Sequence, residues 1–162
     1  MAVWQFKILL IPREWAKESN YNCELLYQEE SYDTQIAWRS YSTSINIEET
    51  ISKYLSKSIP WDKEQVCWGD EESSDIQLWY EKDKIAELLV RVDLNKTLEK
   101  IIEKILNLAK DLDCLLFIPE AKKILELNES TLFTYASQSN AAKFVKNPRK
   151  YLENLKNDKN TI

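Results

Sequence analysis

The chain has 162 residues, 44% of them hydrophobic and 30% charged, and a net charge of −5 at neutral pH. That length fits one domain, and the apolar share is enough for a packed core, so disorder is excluded as the class of most of the chain. A single glycine rules out glycine-rich phosphate loops, and the lack of histidine removes histidine-dependent nucleophiles, acid–base chemistry and zinc sites.

The run Val3–Ile11 predicts a strand with Trp4, Phe6, Ile8 and Leu10 on one face, ended by Pro12. It is too short to span a membrane and lacks a basic flank or cleavage site, so a cytoplasmic location is expected. Residues 12–41 are ambiguous: Cys23–Gln28 fits strand or helix, and Gln35–Arg39 reads as a short strand. Asn46 with Glu49 has capping-box spacing and opens a helix with the stripe Ile47, Ile51, Tyr54 and Leu55, stopped by Pro60. Gln65–Trp68 and Ile76–Tyr80 read as strands on either side of an acidic loop.

Ile85–Leu94 forms the next strand after a tight turn at Glu81–Asp83. A three-residue turn there would pair Leu78 with Ala86 and Ile76 with Leu88, giving a core face of Ala86, Leu88, Val90, Val92 and Leu94. Asn95 is read as the cap of a helix over 96–112, whose stripe is Leu98, Ile101, Ile102, Ile105, Leu106, Ala109 and Leu112. Cys114–Ile118 is a wholly apolar central strand, and Lys123–Leu127 pairs with it. Helices follow over Ser130–Ser137, Ala141–Val145 and Pro148–Leu155. The order predicts a single α+β domain over residues 1–155, a mainly antiparallel sheet with helices packed on one face, and a frayed tail over 156–162.

Three widely spaced cysteines, Cys23, Cys67 and Cys114, argue against a zinc site and a disulfide scaffold, and Cys67 and Cys114 read as buried free thiols. Charge is uneven. Residues 1–81 carry 7 basic and 15 acidic groups, against 15 and 12 in the remainder. The acidic half is a poor match for nucleic acid and a good one for a basic protein.

The loop Trp68–Asp75 holds the glycine and four carboxylates, Asp70, Glu71, Glu72 and Asp75. Asp70, Glu72, Ser74 and Glu81 match calcium-loop positions, but Asp75 stands where the sharp turn needs glycine, and Leu78 and Trp79 occupy loop positions. A carboxylate-metal hydrolase would draw on Asp70, Asp75 and Glu87 with Arg91. No residue pattern here signals a group tuned for acid–base work. The outer strand face carries Asp75, Gln77, Trp79, Ile85, Glu87, Leu89, Arg91 and Asp93. Either another segment covers Trp79 and Leu89, with Glu87 and Arg91 paired at the rim, or the face receives a protein partner.

The segments Trp68-Gly69-Asp70, Asp75-Ile76-Gln77-Leu78-Trp79, Val90-Arg91-Val92-Asp93-Leu94 and Ala141-Ala142-Lys143-Phe144-Val145-Lys146-Asn147-Pro148 resemble a group of small bacterial proteins. Many of that group look like immunity proteins of polymorphic or contact-dependent toxin systems. The resemblance spans residues 65–152 and brings no catalytic motif. It implies a cytoplasmic binding protein that occludes a cognate toxin domain such as a nuclease, while the residues themselves point to no enzyme, cofactor or metal and leave monomer or homodimer open. The partner-binding residues would be Trp68, Asp70, Glu71, Glu72, Asp75, Gln77, Trp79, Glu87 and Arg91, with neither nucleic acid nor membrane as partner. A homo-oligomeric adaptor and a metal-dependent hydrolase are the alternatives.

Overall fold

Apolar residues alternate along most of the strands, and they assemble into one sheet. The computed structural model describes residues 2–160. The seven strands run in the order β4 (Lys57–Ser58), β5 (Gln65–Gly69), β6 (Asp75–Glu81), β7 (Lys84–Asp93), β1 (Gln5–Pro12), β8 (Cys114–Ile118) and β9 (Lys123–Leu125), with every neighbouring pair antiparallel. The fold is α+β.

On the first sheet face Phe6, Ile8, Leu10, Leu78, Leu88, Val90 and Leu116 form the main core. Three helices pack over it: α4 (Leu98–Asp111), α5 (Glu129–Ser137) and α6 (Asn140–Lys146). From α4 come Ile102, Ile105, Leu108 and Ala109, a stripe of three- and four-residue steps that places one helix face against the sheet. Leu9, Ile11, Leu115 and Phe117 point to the second face and make a smaller core with Ala16 of α1 (Arg13–Glu18) and with Cys23 and Leu26. The helical segments therefore do not all lie on one side. The three cysteines are buried and free.

Several expectations need correction. Gln35–Arg39 is not a strand: Gln35–Trp38 is a helical turn, α2. Its neighbours Ala37 and Trp38 enter the two different cores. β1 stops pairing with β7 at Leu9 and pairs with β8 from there on, and α2 packs against β7 and β1 where the two strands part. Cys23–Gln28 splits into a 3-10 turn, Cys23–Leu26, and strand β2 (Tyr27–Gln28), which forms a hairpin with β3 (Ser31–Tyr32).

Asn46 caps α3 (Ile47–Ser52) by accepting the Glu49 N–H at 3.0 Å, but the helix ends well before Pro60. Asn95 does not cap α4. Its N–H is taken by Asp93 Oδ1 at 2.9 Å, and the helix starts after Thr97. The final helix, α7 (Pro148–Asn160), carries residues 156–160 of the expected tail, while 161–162 lie outside the described residues.

The β6–β7 register differs from the expected one by two residues. The turn has two residues, Lys82 and Asp83, both at positive φ (51° and 65°), the conformation that matches strand twist. By itself this moves the register by one and would turn one strand's faces over. A bulge restores them: Tyr80 pairs with Ile85 and Trp79 with Glu87, leaving Ala86 as the extra residue. The buried Thr34 hydroxyl donates to the Ala86 carbonyl at 2.8 Å, satisfying a group the bulge frees. Leu88, Val90 and Val92 thus reach the core as expected, but Ile85 packs against that core instead of lying on the outer face.

Candidate functional site

Over β5, β6 and most of β7 the second sheet face is polar, and it lies between the acidic loop at one end and a tryptophan pair at the other. Asp75, Gln77 and Trp79 alternate along β6 and project to this face. Asp75 sits opposite Arg91 in the register, and the guanidinium grips it twice, Nε to Oδ1 at 2.7 Å and Nη2 to Oδ2 at 2.5 Å. Gln77 Nε2 donates to Asp75 Oδ2 at 3.1 Å, and Trp79 Nε1 donates to Gln77 Oε1 at 3.2 Å. The result is one hydrogen-bonded chain, Arg91–Asp75–Gln77–Trp79.

This pair is not an exposed rim. The Arg91 side chain is 12% exposed and that of Asp75 is 4%. Its hydrogen bond to Asp75 raises the Arg91 pKa further, so the cation is locked in. Glu87 does not pair with Arg91. It faces Trp79, four residues along the strand from Arg91, roughly 13 Å at strand spacing. Burial raises its pKa, against the pull of Lys7.

Trp68 has to be withdrawn from the partner-facing set. With Val66 it points to the first face, where it is 0% exposed and donates through Nε1 to Ser52 Oγ at 2.9 Å. The strand alternation Val66/Trp68 against Gln65/Cys67 carries that signal, but it is masked when Trp68 is counted with the loop.

The loop itself is built, not slack. Gly69 adopts φ +82°, and a Cβ there would meet the Ser74 carbonyl at 2.5 Å, so this position demands glycine. Asp70 Oδ1 accepts the Glu72 N–H at 2.9 Å and the Asp70 C=O accepts from Ser73. The Gln5 side-chain amide donates to the Glu71 and Ser73 carbonyls, and Lys96 Nζ donates to Ser73 Oγ at 2.8 Å. These anchors leave Asp70, Glu71 and Glu72 exposed. Asp75 and Gln77, by contrast, are buried between this loop and the tryptophans.

At the other end the segment 59–64 folds over β5 and β6. Trp61 meets Trp79 edge to face at 5.4 Å between ring centroids, yet remains 69% exposed, and Ile59 is 94% exposed. Beside Trp79 in the register lies Gln65, 2% exposed, whose amide nitrogen and oxygen have no hydrogen-bond partner among the described residues. Sequence reading passed over Ile59, Trp61 and Gln65. The signal was present, since Ile59 and Trp61 flank Pro60 within an otherwise polar stretch.

The carboxylates that metal chemistry would need do not converge. Asp75 is held by Arg91 and Gln77, Asp70 turns within its loop, and Glu87 lies in a different row. Among the described residues no group of three or more Cys, Asp or Glu is placed to hold a metal ion, and no helix is long and apolar enough to cross a membrane. The arrangement offers an anchored negative loop and exposed aromatic surface on a rigid sheet. No family model, curated protein or solved structure matches this chain.

Proposed function

We propose that this chain is an immunity-type inhibitor that binds a basic partner, a toxin domain, and covers its active site without catalysing a reaction. It would act in the cytoplasm of the cell that makes it. The observation that carries the reading is the presence of exposed Trp61, edge to face against Trp79, and of the anchored acidic loop Asp70–Glu72 at opposite ends of one sheet face. Tryptophan is favoured among residues that dominate interface energy, and a fixed negative loop steers a basic partner at little ordering cost.

The test first asks whether the reading frame beside this one encodes a basic toxin domain, and then uses that domain as the binding partner. Replacing Asp70, Glu71 and Glu72 by Asn, Gln and Gln should slow association at low salt, with the effect shrinking as salt screens the loop. Trp61→Ala should weaken the complex through faster dissociation, by about 2 kcal/mol if it is an anchor. If both variants bind like the parent, this face is not the interface. A stable homodimer that buries Trp61 would favour the adaptor reading instead.

A further inference from the structure

A second charged region lies away from that face, where α6 meets α7. Between residues 140 and 160 the chain has six cations and two carboxylates, in a protein that is acidic as a whole. One pair is satisfied locally, Arg149 Nε with Glu153 at 3.4 Å. Lys143 and Lys146 on α6 and Lys150 on α7 make no ion pair among the described residues. The three border a single cavity of about 500 Å3, completed by Asn147, Tyr151 and Asn154.

None of these six residues is acidic. Lys143, Lys146 and Lys150 are exposed, so three unpaired positive charges border one open hollow and make the potential there positive. The break between the helices brings these residues of α6 and α7 to the border of the same hollow. Asn147 forms that break: it ends α6, and its Oδ1 accepts the Lys150 N–H at 3.1 Å. The Tyr151 ring, fixed edge to face against Phe144 at 5.9 Å and half-buried, forms one wall.

We infer that this cavity binds the phosphate of a nucleotide, with Lys143, Lys146 and Lys150 neutralising it. Lysine serves as a point-charge ligand for phosphate, asparagine amides donate to its oxygens, and the ring of Tyr151 can stack on a base. The acidic balance of residues 1–81 does not bear on this half. A free nucleotide and a single strand present the same phosphate and base, and the titration separates the two sources. The inference is independent of the inhibitor reading, because neither Trp61 nor the acidic loop lies in this cavity.

The test titrates the full chain with AMP, pyrophosphate and a single-stranded oligodeoxythymidylate, following backbone amide resonances and affinity. Binding should move the Asn147, Lys150 and Asn154 resonances. The triple variant Lys143→Gln, Lys146→Gln, Lys150→Gln should lose affinity at least tenfold, whereas Lys100→Gln with Lys104→Gln on α4 should not. Tyr151→Leu should weaken AMP and leave pyrophosphate unchanged. Tighter binding of the oligonucleotide, falling about 20-fold between 50 and 200 mM salt for three neutralised phosphates, identifies a strand. Equal affinity for AMP and the oligonucleotide identifies a free nucleotide. Unmoved resonances, or a triple variant that binds like the parent, overturn the inference.

Discussion

The two halves of the second sheet face are made differently. Over β1, β8 and β9 it is apolar, and α1, the 3-10 turn and the β2–β3 hairpin cover it with Ala16, Leu26, Tyr27 and Tyr32. Over β5, β6 and most of β7 it is polar, Leu89 joining the apolar half, with a buried ion pair, a chain of side-chain hydrogen bonds and a glutamine side chain unpartnered among the described residues. Burying apolar area stabilises without geometric demands, whereas a buried ion pair roughly breaks even and fixes geometry. The first half is built for stability. The second half holds the buried Gln77 and the half-buried Trp79 in one orientation.

That contrast can be broken most sharply at Arg91. Removing one partner of the buried pair, Arg91→Ala, should cost about 3–5 kcal/mol in denaturant unfolding, because Asp75 is left charged and unpaired. A pair at an exposed rim, as the sequence suggested for Glu87 and Arg91, would make the same change nearly silent. Replacing both groups, Asp75→Leu with Arg91→Met, should recover most of the loss. In the apolar half, Leu115→Ala should cost about 2–5 kcal/mol, and no second substitution of a polar partner can repair it. A mild Arg91→Ala phenotype would mean that water reaches the pair and that the two halves differ less than described.

Gln65 gives a smaller effect of opposite sign. A buried amide without partners costs about 1–3 kcal/mol, so Gln65→Met should raise the melting temperature by a few degrees. A loss of stability would show that the amide has a partner. Glu87 sharpens the comparison through pH. Its pKa lies above the ordinary 4.5 chiefly through burial. Its contribution is therefore whole below the unfolded pKa and is lost as pH rises through the folded one. Glu87→Gln should stabilise at neutral pH and lose that advantage at about pH 3, read from paired melting curves. The smallest effect belongs to Trp61→Ala, which should change stability by no more than about 0.5 kcal/mol, since Trp61 is mostly exposed, while weakening the complex proposed above.

Much of the fold was legible because the relevant forces are local. Period-two alternation marked β1, β6 and β7, three- and four-residue steps marked α4, and an unbroken apolar run marked β8. The β6–β7 register was not legible. Lys82-Asp83 lacks the glycine or asparagine that normally announces a two-residue turn, and the bulge at Ala86 is set by the strands and by Thr34, 52 residues away. α2 was misread for a related reason. Ile36 and Trp38 mimic strand alternation, but the segment lies where β1 leaves β7, with its adjacent side chains in different cores.

The candidate site divides in the same way. By itself the sequence determined that histidine and glycine-loop chemistry are absent, that negative charge gathers at Asp70–Glu72, and that Gly69 makes the turn there, because residue type and spacing decide these. Only the tertiary structure decided which of these side chains stay exposed. It buried Trp68 behind the sheet, closed Arg91 onto Asp75, and left Trp61 exposed beside Trp79. Exposure depends on which distant segment covers a face, and that is settled by the packing of the whole chain.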